Sequence, residues 1–426
     1  MLAITTFAIL LGVIFIGCPV AVALLLAGTI PIIAFTTLPL SVIAQKLYVS
    51  MDTFTLLAIP FFVLAGGLME KGGISKRLVD FANSLVGWMP GGLAVVTFLA
   101  SAFFGAISGS SSATIAAIGM IMVPALLKEG YDLKFALATV ASAGWLGVIV
   151  PPSIPMILYA MSIGRISIGD LFMGGFLPGF LLAGQMSVYA IWFGYKYNPV
   201  RHPFKIKEVC RTFIRSLWAL GMPLIIMGGI YGGIFTATEA AAVAVLYGLI
   251  VGRFILKELQ FSDILPIIKN AAITTSVLMF IVASASLFGY YLTVDGVPTT
   301  VGNFITSLAT SKMSFMFLVM LLLLFVGTFM DTAPAILILA PLFAPLLGQY
   351  GIDNIAFGVS MIVALGIGMV TPPVGINIYV TASLTNTKTE MVVNKHLFIY
   401  MLLAVIGLVL LVIFPQIITF LITKQA

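Results

Sequence analysis

Long apolar stretches alternate with short polar intervals along the whole chain. Asp, Glu, Lys and Arg are absent from four intervals: 1–45, 81–127, 135–164 and 397–423. Each interval has room for at least one membrane span, which needs about 20 apolar residues. In hydrocarbon the backbone must satisfy its own hydrogen bonds, so spans are helices or strands of closed barrels, and the alternation typical of barrel strands is missing. The pattern predicts an all-α polytopic membrane protein.

The pattern also repeats within the chain. One constant shift without gaps places Pro124 on Pro345, Gly130 on Gly351, Asp132 on Asp353, Gly147 on Gly368, and Pro151-Pro152 on Pro372-Pro373. Chance explains one matched proline far more readily than six residues in register. We therefore infer a duplication, with a first repeat over 1–210 and a second over 211–426.

Each repeat is expected to hold five membrane crossings and one re-entrant helical hairpin. The predicted crossings are 2–17, 19–36, 55–70, 135–164 and 170–195, then 217–235, 236–252, 270–293, 355–386 and 397–422. The predicted hairpins are 92–127 and 313–348, and their arms (92–107 with 112–127, 313–329 with 334–348) are short for complete spans. Five is an odd number of crossings, so the second repeat is expected to be inverted relative to the first.

Composition and charge support this topology. The chain is 61% hydrophobic and 8% charged, against about a quarter charged in soluble domains. The topology puts sixteen of the 20 lysines and arginines on one side, as the positive-inside rule requires of a cytoplasmic face. Both termini are then periplasmic, and the first span is expected to be retained because no basic signal segment precedes it. The net charge of +6 belongs to short loops and does not indicate nucleic acid.

Two proline breaks occupy equivalent places in the repeats: GWLGVIVPPSIPM (144–156) and GIGMVTPPVGINI (366–378). Consecutive prolines remove helical donors and clash with preceding carbonyls. We expect broken helices over 135–164 and 355–386, with the carbonyls of 147–150 and 368–371 free of intrahelical partners. Interrupted segments in corresponding halves indicate a transport site. A kink that only shapes packing is the alternative, and the symmetry of the two breaks weighs against it.

The hairpin tips carry the candidate chemistry. The first tip, GAISGSSSAT (105–114), is rich in hydroxyls, whereas the second, VGTFMDTAPA (326–335), carries Asp331. Hydroxyl and carbonyl oxygens suit a sodium ion, and the helix N-termini that follow each tip suit an anionic substrate. Close packing of helices is the alternative for the serines. Helix capping is the alternative for Asp331, which as an intramembrane acid is otherwise a functional candidate.

Other polar residues are expected to be structural. Glu239 lies near a predicted turn, and Arg165 either attracts anions or anchors the surface. His202 and His396 are expected to be solvated loop residues, and two isolated cysteines, Cys18 and Cys210, form no disulfide or metal motif. The basic stretch 196–215 is expected to be a cytoplasmic surface helix that contacts anionic lipid.

Several motifs together resemble the large membrane subunit of tripartite ATP-independent periplasmic (TRAP) transporters: GAISGSSSATIAAIG, VPPS, TPPVGIN, GIFTATEAAAVAV and DTAPAILILAP. The resemblance runs from the first span to the last. It implies a sodium-driven elevator importer of organic acid anions in the bacterial inner membrane, with a periplasmic substrate-binding protein and a small four-helix membrane subunit as partners. Sialic acid permeases are the most similar branch, with C4-dicarboxylate or 2-oxo acid permeases as alternatives. Because no extra helices precede the first span, we expect the large subunit alone.

The resemblance also implies site residues. A first sodium site would comprise Ser108, Ser110, Ser111, Ser112, Gly147, Val150 and Pro152, and a second would comprise Gly327, Thr328, Asp331, Thr332, Gly368 and Thr371. Ser153, Asn377 and Thr114 are expected to contact substrate. Sodium is the coupling ion, with no transition metal and no other cofactor. Because Ser110 aligns with Asp331, the two ion sites are expected to be unequal, and one of them could prefer protons.

Three competing functions are less consistent with the sequence. A serine protease needs a base near its nucleophile, but neither histidine lies in a predicted span, and no HExxH motif indicates a zinc protease. No GxxxxGK[ST] motif indicates a nucleotide-binding site. A channel does not need two broken-helix repeats, which favour alternating access. A proton-coupled anion transporter that works without a binding protein remains the alternative within the transporter class.

Overall fold

The computed structural model describes residues 2–164, 166–197 and 203–422, and all regular structure within them is helical. The first half contains α1 Leu2–Phe15, α2 Val20–Phe35, α3 Ser41–Met51, α4 Ala58–Lys71, α5 Ile74–Val86, α6 Gly92–Ser108, α7 Ser111–Lys128, α8 Leu133–Gly144, α9 Ile154–Ile163 and α10 Ile168–Tyr197. Two 3₁₀ turns, Phe54–Leu57 and Trp145–Val148, precede α4 and follow α8.

The second half contains α11 Ile206–Tyr231, α12 Ala237–Ile250, α13 Phe261–Val294, α14 Val297–Leu308, α15 Lys312–Gly327, α16 Thr332–Gln349, α17 Asn354–Gly368, α18 Ile376–Leu384, α19 Thr389–Val392, α20 Lys395–Ile413 and α21 Gln416–Thr419. Within the described residues, eight helices are long and apolar enough to cross a membrane, or nine if the bent pair α14 and α15 counts as one span. The all-α polytopic class is confirmed.

Helix starts in the two halves coincide under the shift that aligns the prolines. Ser111 at the start of α7 falls on Thr332 at the start of α16, and Leu133 of α8 falls on Asn354 of α17. The Pro-Pro peptide bond is cis in both breaks. The hairpin and broken-helix bounds match the predicted ones to within a few residues. The inversion of the repeats and the re-entrant path of the hairpins stay predictions.

The halves differ where their first helices lie. Helix α13 runs without interruption over the stretch that corresponds to both α3 and α4. Helix α11 begins at Ile206 and continues to Tyr231, so 206–215 form the first turns of a long helix rather than a separate one, and their contact with anionic lipid stays a prediction. The helix is continuous because no turn separates its basic start from its apolar end, and Pro223 is the only proline inside it.

The helices pack as two groups. One group, the scaffold, brings α1 to α5 against α11 to α13, and the other, the core group, combines α6 to α10 with α15 to α20. The groups meet where α4 contacts α6, where α5 contacts α6, and where α13 contacts α16. The two hairpins and both broken helices therefore belong to one packed unit, and their tips lie beside the scaffold.

The prediction that both histidines are solvated is wrong for His396, while His202 and Arg165 lie outside the described residues. Asn394 caps α20, which puts His396 in the first helical turn. The imidazole is 3% exposed, and its Nδ1 lies 2.7 Å from the hydroxyl of Tyr189. Phe135 and Phe193 pack edge-on against the ring. The polar residues around His396 suggested a loop, but a helix begins at Lys395 and turns the His396 side chain inward.

Candidate ion and substrate site

Both hairpin tips line one cavity of about 1170 Å³ between the core group and the scaffold. The first tip contributes 108–113, and the second contributes 331–333. Val148, Ile154, Pro155 and Met369 come from the two breaks or their immediate ends. Helices α4, α5 and α13 form the opposite wall. The structure thus brings together the two distant segments in which the sequence predicted ion sites.

The first tip is a tight turn that concentrates hydroxyl oxygens. Gly109 adopts the left-handed conformation with φ +60°, and Ser110 then caps α7, its Oγ accepting from the amide of Ala113. Thr114 Oγ1 donates to the carbonyl of Ser110 (2.7 Å) and lies 3.3 Å from Ser108 Oγ. Ser110 and Ser112 are half-buried, while Ser108 and Ser111 are buried at the cavity edge. The serine cluster is therefore accessible from the cavity.

The first break packs directly behind this tip. A Cβ on Gly105 would lie 2.7 Å from the Cα of Gly147, and one on Gly109 would lie 2.9 Å from the carbonyl oxygen of Pro152. Gly147 in turn faces the carbonyl of Ser110. The structure brings the predicted ligands Gly147 and Pro152 to the tip. The side chain of Val150 packs toward Gly179 of α10.

The second tip has a different polar set. Asp331 caps α16: its Oδ1 accepts from the amide of Thr332 (2.5 Å) and from Thr332 Oγ1 (3.1 Å). In the described part of the chain, the other carboxylate oxygen makes no hydrogen bond with the protein. The side chain is exposed and lines the cavity. Capping and ion binding are compatible, because one oxygen serves each role.

The second break holds the second tip from behind. A Cβ on Gly327 would lie 3.0 Å from the Cα of Gly368. The amide of Gly375 donates to the carbonyl of Thr328 (2.8 Å), and Gly375 itself has φ +58°. Thr371 Oγ1 donates to the carbonyl of Ile367. Glycines therefore permit the close approach of tip and break in both halves.

The prediction of free carbonyls in both breaks needs correction. The carbonyl of Val148 accepts from Ser153 Oγ (2.5 Å), and those of Gly368 and Met369 accept from the amides of Thr371 and Asn377. A 3₁₀-type turn and local donors thus replace part of the lost helical pairing. Within the described residues, the carbonyls of Val150 and Pro152 receive no hydrogen bond. A carbonyl that accepts one hydrogen bond still has a second lone pair for a cation.

The three residues predicted to contact substrate lie behind the cavity wall. Thr114, Ser153 and Asn377 are each 0% exposed and do not line the cavity. Ser153 caps α9, and Asn377 bonds to Ser111. In this state the three residues cannot contact a substrate in the cavity directly, and their role in substrate binding stays a prediction.

The scaffold wall supplies polar residues that the sequence analysis missed. Asn270 and Thr274 of α13 line the cavity, and charged side chains surround one end of it: Glu70, Lys71, Lys76 and Asp263. Among the described lining residues there is no arginine. These positions fall on long apolar helices, so only the helix period combined with the fold could have identified them. Asn270 and Thr274, four residues apart, are on one helical face.

Glu239 has the structural role that its position suggested. Its carboxylate accepts from the amide (2.8 Å) and hydroxyl (2.9 Å) of Thr236, and Thr236 Oγ1 accepts from the amide of Glu239 in return. This reciprocal pair is a capping box at the start of α12.

The family model for the tripartite ATP-independent periplasmic transporter, DctM component, matches residues 7–417. The chain belongs to this family. It is thus a TRAP large permease, and its relatives are named as transporter permeases rather than enzymes.

Three relatives illustrate the similarity. The C4-dicarboxylate TRAP large permease of Pseudomonas aeruginosa is 41% identical over 361 residues, covering 84% of each chain. The 2,3-diketo-L-gulonate TRAP large permease of Escherichia coli is 39% identical over 410 residues, covering 96% of each. The isethionate TRAP permease DctMQ of Oleidesulfovibrio alaskensis is 41% identical over 377 residues, which are 88% of this chain but 59% of that longer protein.

Two solved structures share the fold. The YdaH transporter of Alcanivorax borkumensis aligns with a TM-score of 0.63 and 16% identity over 90% of each chain. MtrF of Neisseria gonorrhoeae aligns with a TM-score of 0.61 and 14% identity, covering 92% of this chain and 93% of that one. At this identity the similarity concerns architecture alone.

Proposed function

We propose that this TRAP permease is a sodium-coupled importer of organic acid anions that works by an elevator mechanism. The observation that carries the proposal is the convergence of both tips on one cavity, each tip held from behind by a proline break. Two symmetric ion sites beside a shared substrate cavity would let ion binding and substrate binding stabilise the same arrangement.

The donor sets fit a hard monovalent cation. The first tip offers serine hydroxyls together with the carbonyls of Val150 and Pro152, which receive no hydrogen bond from the part of the chain that the structure describes, and the second offers carbonyls and a carboxylate oxygen of Asp331. Oxygen ligands of this kind suit sodium without a dense negative charge. Among the described residues no group of three His, Cys, Asp or Glu side chains could hold a metal ion. The ion sites would therefore rest on hydroxyl and backbone oxygens, with one carboxylate, that of Asp331, at the second tip.

The cavity would bind an anion through helix N-termini rather than arginine. Helices α7 and α16 both begin at the cavity, so the amides of their first turns and their positive dipole ends face an acidic group there. Lys71 and Lys76 lie at the charged end of the cavity. They would attract the anion electrostatically without holding it at the tips.

The charged end of the cavity indicates which state the protein adopts. Glu70, Lys71, Lys76 and Asp263 belong to the side that the positive-inside rule assigns to the cytoplasm. The cavity would thus be open to the cytoplasm, with both termini periplasmic. Outward opening would need the core group to slide along α4 and α13 of the scaffold.

Family membership suggests the partners. A small four-helix membrane subunit would complete the permease, and a periplasmic binding protein would deliver substrate. The scaffold carries large exposed apolar side chains on α11 and α13, among them Leu224, Leu265 and Phe280, which would contact lipid or the small subunit. The proposed location is the bacterial inner membrane.

The substrate class is proposed as a small organic acid anion. The relatives are named for C4-dicarboxylate, 2,3-diketo-L-gulonate and isethionate, each of which carries a carboxylate or sulfonate. Sialic acid, the branch suggested by sequence resemblance, shares the carboxylate and belongs in the same test.

The test is uptake into proteoliposomes that hold the chain with its small subunit, with binding protein outside. Labelled sialic acid, succinate, a 2-oxo acid and isethionate would be compared under an inward sodium gradient and with potassium replacing sodium. We expect saturable uptake of one acid that needs both sodium and binding protein. Uptake that is equal in potassium but follows a proton gradient would replace sodium by protons, with Asp331 as the proton site.

A further inference from the structure

Asn377 joins the two repeats at the first tip. It is the second residue of α18, immediately after the second break, and is 0% exposed. Its Oδ1 accepts from Ser111 Oγ at 2.8 Å, and its Nδ2 donates to the carbonyl of Ala141 in α8 at 3.4 Å. A residue of the second repeat therefore bonds both to the first tip and to the helix that leads into the first break.

The direction of the bond to Ser111 matters for ion binding. An amide oxygen only accepts, so the Ser111 hydroxyl must donate to it. With its proton directed at Asn377, Ser111 Oγ keeps its lone pairs for another partner. Ser111 also lines the cavity at the first tip. Asn377 thus fixes this hydroxyl in the orientation that a cation requires.

The same residue is tied to the second site through the backbone. The amide of Asn377 donates to the carbonyl of Met369 (3.0 Å), and two residues earlier Gly375 donates to the carbonyl of Thr328 in the second tip. A displacement of Ser111 would move Asn377, and through α18 it would change how the second break holds the second tip. This is a continuous chain of buried hydrogen bonds between two sites.

The described residues of the first repeat contain no equivalent connection. The shift that aligns the prolines places Asn377 on Met156, a buried residue without a hydrogen-bonding side chain that packs against Gly175 of α10. Thr332, which corresponds to Ser111, bonds to Asp331 within its own tip. The connection therefore runs from the second repeat into the first and not the reverse.

We infer that Asn377 is a positioning residue that couples ion binding at the first tip to the second tip and break. The inference rests on the sodium sites of the proposed function. In this scheme Asn377 does not touch substrate or ion, and it raises sodium affinity by orienting Ser111. Its loss would weaken both sodium affinity and the cooperativity between the sites.

The test uses Asn377→Leu, which keeps a similar volume but has no acceptor, in the complete permease with binding protein. Sodium dependence of uptake would give the half-saturating sodium concentration and the Hill coefficient. We expect the half-saturating concentration to rise about fivefold or more, within the usual range of coupling between sites, and the Hill coefficient to fall toward one. Asn377→Asp, which retains an acceptor, should keep cooperativity. If the leucine variant does not assemble, Asn377→Ala serves the same test.

Thr381→Val is the matched control. Thr381 lies one turn further along α18, is 0% exposed, and its hydroxyl has no hydrogen-bond partner among the described residues. The variant should leave the sodium dependence unchanged. A second readout is the sodium-induced rise in melting temperature without substrate, which should shrink in Asn377→Leu and persist in Thr381→Val.

The outcomes separate this inference from the proposed function. If Asn377→Leu has the same half-saturating sodium concentration and Hill coefficient as the wild type, the coupling role of Asn377 is overturned while the proposed function stands. A lower maximal rate with unaltered sodium dependence would also overturn it, because that result indicates packing only. A wild-type protein indifferent to sodium would overturn both the proposed function and this inference.

Discussion

The two hairpin tips reach the same cavity with different chemistry. At the first tip, hydroxyls of Ser108 and Thr114 surround the turn, and Ser110 caps the following helix. At the second, one carboxylate caps the helix and keeps an oxygen toward the cavity. Behind both tips the packing is alike, because a glycine of the tip approaches a glycine of the break. The backbone contact is therefore shared by the two halves, while the polar side chains of the tips differ.

The comparison separates a feature common to the two proposed sites, the glycine contact, from one that differs between them, the polar side chains of the tip. Under the proposed function, the glycine contacts would let tip and break share a cation between hydroxyl, carboxylate and carbonyl oxygens. The net charge of each site is set by one aligned position, Ser110 in the first repeat and Asp331 in the second. A neutral site and an anionic site should differ in ion affinity and in response to protons.

The largest effect is expected from removing the shared glycine contact. A Cβ on Gly368 would lie 2.5 Å from the Cα of Gly327, and one on Gly105 would lie 2.7 Å from the Cα of Gly147. Gly368→Ala and Gly105→Ala should each abolish uptake and destabilise the permease by about 1–3 kcal/mol. Thermal unfolding and uptake measure this. Gly184→Ala in α10, where nothing lies within 4 Å, is the control. Normal uptake in either Gly368→Ala or Gly105→Ala would show that close contact is unnecessary.

The next effect should come from the carboxylate. Asp331→Asn keeps a good capping residue at the start of α16 but removes the negative charge. Sodium-driven uptake at low sodium should fall about tenfold or more, since hydrogen bonds and contacts to charged groups contribute about 1.5–3 kcal/mol. Thermal stability in potassium should stay within about 1 kcal/mol of the wild type. Unchanged uptake would reduce Asp331 to a helix cap.

A gain of charge at the first tip sharpens the comparison further. Ser110→Asp gives the first tip the residue that the second one has, and aspartate caps helices as well as serine does. We expect tighter sodium binding at the first tip and slower release, so that maximal uptake falls severalfold while half-saturating sodium decreases. Sodium titrations of uptake at two external pH values measure both quantities. A rise in half-saturating sodium would contradict the assignment of Ser110 to an ion site.

The smallest effect is expected from Ser110→Ala. The bond from the Ala113 amide to Ser110 Oγ is long, at 3.5 Å, so the cap contributes little. Loss of one neutral hydroxyl should raise half-saturating sodium about fivefold or less, consistent with about 1 kcal/mol per neutral hydrogen-bonding group. Uptake titrations beside Asp331→Asn measure the ratio of the two effects. An effect of Ser110→Ala larger than that of Asp331→Asn would reverse the proposed difference between the tips.

Sequence patterns predicted the framework of the site well because residues that end or break helices mark its boundaries clearly. Glycine and serine clusters ended the hairpin arms, and consecutive prolines broke the helices, so the bounds near Gly92, Ser111 and Ile376 could be anticipated. The short helices α3, α5 and α14 could not, because none of them has an apolar stretch long enough to predict a span. These helices lie between spans, where a mixed pattern is equally compatible with a loop.

Side-chain environments were less predictable than helices. Asn377 follows a proline break, as a substrate ligand would, yet the fold buries it against Ser111. His396 follows a polar segment, yet the helix start at Lys395 turns it toward Tyr189. Each case depends on which helix of the other half lies opposite, and a single sequence holds that information only through the complete fold.

The most direct test of the account is equilibrium binding of radiolabelled sodium to the purified permease complex without substrate. We predict saturable binding of about two ions per large subunit, because each half supplies one tip and one break. One of these ions should be lost in Asp331→Asn, while potassium should not compete. Binding of no sodium, or of the same number of ions in the wild type and in Asp331→Asn, would contradict the claim that both tips are ion sites.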